Sequence, residues 1–183
     1  MNIENINGYI LNNLSKINIV LGKNGCGKST MLRQVEQGLA SQNQIYGKSR
    51  YITPERGGTL IYTAGIEEAM SRDVNWMPGQ RRKNLSDNFR QQSVAQYRKL
   101  ETLILRDFEK DQTKSKFDPY IEKINLLLDN IEIERDDLTF KILKKGTTNK
   151  LNAGLISSGE SELISLGIEL LIFSKEIEAD KEN

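Results

Sequence analysis

The segment Gly22–Thr30, with the sequence GKNGCGKST, combines glycines with lysine and hydroxyl residues at the spacing G-x-x-x-x-G-K-S. Glycines at these positions let backbone N–H groups curl around a phosphate, and a helix starting behind them directs its positive dipole end at the same anion. The ammonium group of Lys28 would contact the terminal phosphates, and the hydroxyl of Ser29 would be a ligand for Mg²⁺. This segment, termed the phosphate loop, therefore predicts the binding of a nucleoside triphosphate.

Elements on either side of the phosphate loop have the patterns needed to hold it in place. The preceding stretch, Lys16–Gly22 (KINIVLG), concentrates β-branched residues before a glycine, which is typical of a buried strand entering a turn. Apolar residues then recur at helical spacing behind the loop. A chance glycine-rich turn is the alternative, but the order of strand, loop and helix favours nucleotide binding. The candidate binding residues are Asn24, Gly25, Cys26, Gly27, Lys28, Ser29 and Thr30, with Ser29 as the metal ligand.

A second segment with chemical potential is Ile156–Glu160 (ISSGE), which precedes a long apolar pattern of helical spacing. The hydroxyl of Ser157 and the amide of Gly159 at a helix N-terminus would form a second anion site. The alternative is an ordinary helix start, in which Ser157 or Ser158 is the N-cap and Glu160 favours the positive end. Taken alone, the segment does not decide between these two interpretations.

This second segment resembles the L-S-G-G-Q/E signature of ABC-type ATPases, especially its variants in the SMC, RecF-like and OLD-type families. Ser158 stands where those families frequently have glycine. Together with the phosphate loop upstream, the resemblance implies an AAA family ATPase of this branch. Its fold would be α/β, a P-loop NTPase with an ABC-ATPase-like core sheet and a helical insertion.

The same resemblance implies ATP and Mg²⁺ as cofactors and a head-to-tail homodimer that closes around the nucleotide. In such a dimer, the signature residues of one copy meet the γ-phosphate held by the phosphate loop of the other. Lys28, and Ser157 acting in trans, would be the catalytic residues, while Ser157, Ser158, Gly159 and Glu160 would contact nucleotide. Related systems act in DNA repair or antiphage defence, so a separate effector protein is a further expected partner.

The acidic residues that complete such an active site are hard to place in this sequence. Ile124–Asn130 (INLLLDN) looks like a metal-binding strand, but it precedes the signature and continues a helical spacing, so we interpret it as helix core. In the family the Asp-Glu strand follows the signature helix, about where this sequence ends at Asn183. We therefore expect a fragment or half of a split site that binds ATP but hydrolyses it slowly. Candidates for the Mg²⁺-sensing glutamine region are Glu55, Arg56, Gln91 and Gln92, although a surface role is favoured for Arg56.

The patterns divide the chain into three expected parts. Residues 1–66 would be a nucleotide-binding core lobe, residues 67–136 a helical insertion, and residues 137–183 a return strand with the signature helix. Further strands are expected in Ser49–Gly58, Thr59–Gly65 and Asp137–Gly146, and Asp118-Pro119 is typical of a helix start.

Composition excludes several kinds of chemistry. The 183 residues contain no histidine, which removes imidazole bases and histidine-bound zinc, and a single cysteine, Cys26, which removes internal disulfides and cysteine clusters. The formal net charge is +1, so no global field attracts nucleic acid. Neither a secretory signal nor an apolar run of membrane-spanning length is present, so we expect a cytoplasmic protein that does not enter membranes.

Three alternatives stay open. A small nucleotide kinase would use Arg81, Arg82 and Arg90 to close over the transferred phosphoryl group, but it would leave ISSGES without a role. A non-hydrolysing, ATP-gated scaffold would differ from an ATPase only by the missing catalytic strand. Basic and aromatic residues within Pro78–Lys99 could form a nucleic-acid surface, although interleaved acidic residues favour a solvated helix face.

Overall fold

The computed structural model describes residues 2–53, 55–83, 85–114 and 116–181. They form a mixed α and β structure. In chain order its elements are β1 (Ile3–Ile6), β2 (Tyr9–Leu11), α1 (Lys28–Ser41), α2 (Asn43–Tyr46), β3 (Glu55–Arg56), α3 (Ala64–Arg72), α4 (Trp76–Arg81), β4 (Leu85–Ser86), α5 (Phe89–Lys110), α6 (Asp118–Asn125), β5 (Ile131–Arg135), β6 (Phe140–Lys144), β7 (Lys150–Leu151) and α7 (Ser158–Lys181).

The chain divides into two compact units, and neither is continuous in sequence. The first unit comprises Met1–Glu55 and Asn75–Leu85, and the second comprises Arg56–Val74 and Ser86–Asn183. The expected boundaries differ from this division for physical reasons. A boundary after residue 66 would cut α3, and a boundary after residue 136 would separate β5 from β6, which pair with each other.

The first unit is built from a β-hairpin and the helix that follows the phosphate loop. β1 and β2 pair antiparallel around Asn7-Gly8, whose positive φ angles of 50° and 84° suit a two-residue hairpin turn. Ile3, Ile6 and Val35 are the buried core residues between the hairpin and α1. This packing is close, because a Cβ at Gly38 of α1 would overlap with Ile6 Cγ2.

The second unit has α5 and α7 packed against each other, with α6 and an antiparallel sheet of order β5-β6-β7 around them. Tyr97 lies at the centre of the core, with its ring edge-on to Phe117 at 5.2 Å and to Phe140 at 4.9 Å between centroids. Asn125 joins the end of α6 to β5, because its side chain accepts from Ile133 N at 2.8 Å and donates to Ile133 O at 3.0 Å.

Several expected elements are confirmed. The helix expected behind the phosphate loop is α1, the helix expected at Asp118-Pro119 is α6, and the strand expected in Asp137–Gly146 is β6. The region 67–136, expected to be helical, contains the 22-residue helix α5. In the described part of the chain, no helix has both the length and the apolar character needed to cross a bilayer.

Other expectations are wrong. Lys16–Gly22 forms no strand, and its apolar side chains are exposed, with Ile17 at 82% and Leu21 at 86%. Among the described residues of Ser49–Gly58 the only strand is β3, and Thr59–Gly65 contains none. The helical reading of Ile124–Asn130 fails after Asn125, where α6 ends and a short link leads to the unpredicted strand β5. The ABC-ATPase-like core sheet expected from the resemblance is neither shown nor contradicted by the described residues and stays a prediction.

Candidate phosphate loop and signature helix

The phosphate loop turns sharply into the first turn of α1. Gly25 and Gly27 have φ angles of 81° and 89°, a left-handed conformation that side chains with a Cβ rarely adopt. A backbone hydrogen bond from Cys26 N to Lys23 O, at 3.3 Å, closes the turn. Gly27 is the N-cap residue of α1, so the helix begins directly at Lys28. Gly27, the second glycine of the G-x-x-x-x-G-K-S spacing, therefore lies where the backbone favours glycine, as does Gly25 between the two motif glycines.

Lys28 holds its ammonium group over the loop. Its Nζ donates to the carbonyl of Gly22 at 2.7 Å and to the carbonyl of Lys23 at 2.9 Å. A positive charge in this place, beside the N-terminus of a 14-residue helix, creates a local field that attracts an anion. The loop can thus bind phosphate oxygens through backbone N–H groups and through one mobile ammonium group.

Three further residues of the phosphate loop, Gly22, Cys26 and Ser29, lie close to Lys28. Cys26 is exposed, with its Sγ 3.9 Å from Lys28 Nζ. Gly22 approaches Cys26 so closely that a Cβ would lie 2.7 Å from that sulfur. Ser29 lies half-buried in the first turn of α1, where a hydroxyl could join the coordination of a metal ion that also contacts phosphates.

The start of α7 is a reciprocal capping box. Ser157 Oγ accepts from Glu160 N at 3.1 Å, while Glu160 Oε2 accepts from Ser157 N at 3.2 Å and from Ser157 Oγ at 2.7 Å. The helix-start interpretation of ISSGES is therefore confirmed at the level of local structure. An anion contacting Ser157 would have to displace the carboxylate of Glu160 from this hydroxyl. Gly159 is exposed beside it.

Arg90, at the start of α5, lies beside the start of α7. Its Nη2 donates to Ser158 Oγ at 3.0 Å, and its Nη1 donates to Gly58 O at 3.2 Å. Gln91 contacts the segment that follows β3 as well, because its side-chain Oε1 accepts a hydrogen bond from Thr59 N at 3.3 Å. These contacts bring the glycine pair after β3, the start of α5 and the start of α7 together.

A second arginine joins this group. Arg56 forms an ion pair with Glu162, one turn into α7. We term the group of Arg56, Arg90 and residues 157–162 the signature site. The local sequence pattern does not connect either arginine with ISSGES. Arg56 lies 106 positions before Glu162, and Arg90 lies 68 positions before Ser158. Chemically, the signature site offers a guanidinium group and a helix N-terminus to an incoming anion.

The remaining candidates form no described hydrogen bond with the signature site. Asp129 and Asn130 are exposed in the link before β5. Gln92 is buried on α5 with its Oε1 lacking a partner in the described structure, and the side chain of Glu55 lies outside what the structure describes. Within the described ranges, no group of three His, Cys, Asp or Glu residues could hold a metal ion.

The basic segment has a mainly structural character. Arg82 pairs with Glu36 at 2.8 Å, and Lys83 Nζ donates to Gln80 Oε1 at 2.7 Å. Phe89 and Tyr97 are buried core residues, so they cannot offer their rings to stack on nucleic-acid bases. The residues expected to close over a kinase substrate divide between the two units, with Arg81 and Arg82 in the first and Arg90 in the second.

In comparisons with known proteins, no family model, no curated protein and no solved structure matches this chain.

Proposed function

We propose that this chain binds Mg-ATP at the phosphate loop and is the nucleotide-binding part of an ABC-type, RecF-like ATPase. The observation that carries the proposal is the conformation of the loop, in which left-handed Gly25 and Gly27 lead directly into α1 while Lys28 Nζ lies over the loop. Backbone N–H groups, the helix dipole and one ammonium group then act on the same phosphates.

The metal ion would be held by the Ser29 hydroxyl together with the nucleotide phosphates. Mg²⁺ retains several waters in protein sites and commonly binds through few protein ligands plus substrate phosphates, so a single hydroxyl is a chemically reasonable protein ligand. The bound ion would neutralise phosphate charge. Lys28 would leave the carbonyls of Gly22 and Lys23 to contact the β- and γ-phosphates.

The signature site would complete the nucleotide site of a second copy. Ser157 and Gly159 at the start of α7, with Arg90 beside them, would contact the γ-phosphate held by the partner's phosphate loop. The γ-phosphate would replace Glu160 as the acceptor for the Ser157 hydroxyl, so dimer closure and the opening of the capping box would be coupled. We place the chain in a DNA-repair or antiphage-defence type of system, with slow hydrolysis by the chain itself.

A mixing experiment tests this arrangement. Lys28→Ala removes the phosphate contact, whereas Ser157→Asp keeps a good N-cap residue but adds a charge that repels phosphate. We expect wild-type chain to dimerise with Mg-ATP, each variant alone to stay monomeric, and an equimolar mixture to form heterodimers carrying one complete site. Light scattering would follow the mass, and a wild-type chain that stays monomeric, or a mixture that fails where wild type succeeds, would contradict the proposal.

A further inference from the structure

The phosphate loop contains one of the two Asn-Gly dipeptides of the chain, Asn24-Gly25, and the other is Asn7-Gly8. Asparagine before glycine is prone to deamidation, because glycine has no Cβ to hinder the approach of the side-chain carbonyl carbon to the next backbone nitrogen. The reaction also needs an asparagine side chain that can turn and a backbone nitrogen that is not held by an acceptor. The two dipeptides differ in how well they meet these requirements.

Asn24 and Gly25 are unrestrained in the folded chain. Both residues are exposed, and neither forms a hydrogen bond with another residue in the part of the chain that the structure describes. A Cβ built at Gly25 would meet no heavy atom within 4 Å, so the space beside this residue is open. The hydrogen bond from Cys26 N to Lys23 O spans the dipeptide without engaging it. The side chain of Asn24 can therefore rotate towards Gly25 N.

Asn7-Gly8 is restrained, although both of its residues are exposed as well. Asn7 Nδ2 donates to the carbonyl oxygen of Gln34, in α1, at 2.8 Å, so the side-chain amide is held away from free rotation. Ile6 and Tyr9, on either side of this dipeptide, are paired across β1 and β2. The chain thus carries its own comparison, with one Asn-Gly dipeptide that can rearrange and one that is held.

We propose that Asn24 is a deamidation site and that its conversion ends phosphate binding by the phosphate loop. Gly25 N attacks Asn24 Cγ, so that an N–C bond forms and the Cγ–Nδ2 bond breaks. The proton lost from Gly25 N leaves with the amino group as ammonia, and a succinimide ring remains. Water then adds to either carbonyl carbon of the ring and opens it, which gives aspartate or isoaspartate. Water is the only co-reactant, and nothing is oxidised or reduced.

Either product places a carboxylate in a loop that otherwise offers backbone N–H groups and Lys28 to an anion. The new negative charge repels phosphate and competes with it for the ammonium group of Lys28. Isoaspartate also adds a carbon to the main chain at residue 24, which displaces the glycines that lead into α1. The modification itself does not depend on the proposed function, whereas the loss of nucleotide affinity rests on it.

The test incubates the full chain in mildly alkaline buffer, which promotes loss of the amide proton, and follows each dipeptide by peptide mass spectrometry. An isoaspartate-specific methyltransferase labels the isoaspartate product independently. We expect conversion at Asn24 to be at least about tenfold faster than at Asn7. Asn24→Gln should show no conversion at residue 24 on the same timescale, because glutamine would have to form a larger ring. Equal rates at the two asparagines, or an unreactive Asn24, would overturn the assignment.

Nucleotide titrations of fresh and aged samples test the consequence for binding. Converted wild type should lose at least about tenfold in Mg-ATP affinity, whereas aged Asn24→Gln should bind like its own fresh sample. Asn24→Asp carries the charge from the start and should also bind more weakly than fresh wild type. Retained affinity after complete conversion would overturn the second half of the proposal. Absence of binding by fresh wild type would contradict the proposed function and this half with it, while the conversion rates still decide the modification site.

Discussion

Arg90 Nη2 lies 3.0 Å from Ser158 Oγ, so a guanidinium group from the start of α5 stands at the N-terminus of α7. The same side chain donates to Gly58 O through Nη1, and its backbone N donates to Gly57 O at 3.2 Å. Arg90 therefore links Gly57 and Gly58 to Ser158 at the start of α7. This contact gives the signature site a fixed positive charge that the ISSGES pattern alone did not contain.

Replacing Arg90 separates its role in dimer closure from nucleotide binding. We expect Arg90→Gln to weaken Mg-ATP-dependent dimerisation about tenfold, because the γ-phosphate loses a charge-assisted donor. Nucleotide affinity of the monomer should not change, since the phosphate loop is intact. Sedimentation with and without Mg-ATP measures the first quantity, and Lys99→Gln, an exposed cation on α5, is the matched control. Equal dimerisation of Arg90→Gln and wild type would remove Arg90 from the mechanism.

Alkylation of Cys26 should block the phosphate loop. The thiol is exposed and lies 3.9 Å from Lys28 Nζ, so an attached maleimide would occupy the space of the phosphates. We expect complete labelling to lower Mg-ATP affinity at least about tenfold. Cys26→Ala should bind ATP normally and be insensitive to the reagent, because alanine leaves the backbone of the loop in place and lacks the thiol that is alkylated. Unchanged affinity after complete labelling would contradict this placement of the nucleotide.

A buried polar contact between α5 and α7 should matter for stability. Gln96 Nε2 donates to Glu169 Oε1, and both residues are 1% exposed. Gln96→Leu removes a donor from a buried carboxyl group, so we expect a loss of about 1–3 kcal/mol in the free energy of unfolding, measured with urea. The double variant Gln96→Leu with Glu169→Leu should lose less than the two single losses added together. Additive losses would show that the pair does not interact.

Tyr97 should make the second unit sensitive to alkaline pH. Burial, followed by the charge of Glu101, raises the pKa of Tyr97 well above its ordinary value of 10.0. Because the folded state holds this proton more tightly than the unfolded state, its contribution to stability is complete below pH 10 and is lost as pH rises above it. Tyr97→Phe should remove this loss and should cost little at neutral pH, because the hydroxyl has no partner within the described structure. Unfolding free energies measured from about pH 9 to pH 11 test this, and parallel curves for variant and wild type would contradict it.

Local patterns in the sequence predicted those elements whose structure is decided locally. The helical spacing of α1, the Asp118-Pro119 start of α6 and the alternation of β6 were sufficient for those three elements. The hairpin of β1 and β2 was not predicted, although Asn7-Gly8 is a strong two-residue turn signal. The prediction of a strand in Lys16–Gly22 was wrong for a different reason. A strand needs a neighbouring strand to satisfy its backbone N–H and C=O groups, and none of the described strands pairs with this segment.

In the candidate sites, too, the features decided locally were predicted from the sequence and the long-range contacts were not. The loop from Gly22 to Thr30 was recognisable because every residue that shapes it lies within nine positions. The contacts of Arg56 and Arg90 with α7 were not, because each spans a long stretch of chain that only tertiary packing brings together. Spacing rules describe neighbours along one element, so they carry no information about such pairs.

The most direct test of nucleotide binding at the phosphate loop is calorimetric titration of wild-type chain and Lys28→Ala with Mg-ATP. We predict one saturable site per chain in wild type and an affinity at least about tenfold lower in Lys28→Ala, a loss of about 1.4 kcal/mol or more. Lys23→Ala, the other lysine of the loop, keeps its carbonyl contact with Lys28 and should bind like wild type. Absence of binding by wild type, or equal affinity of wild type and Lys28→Ala, would contradict the account.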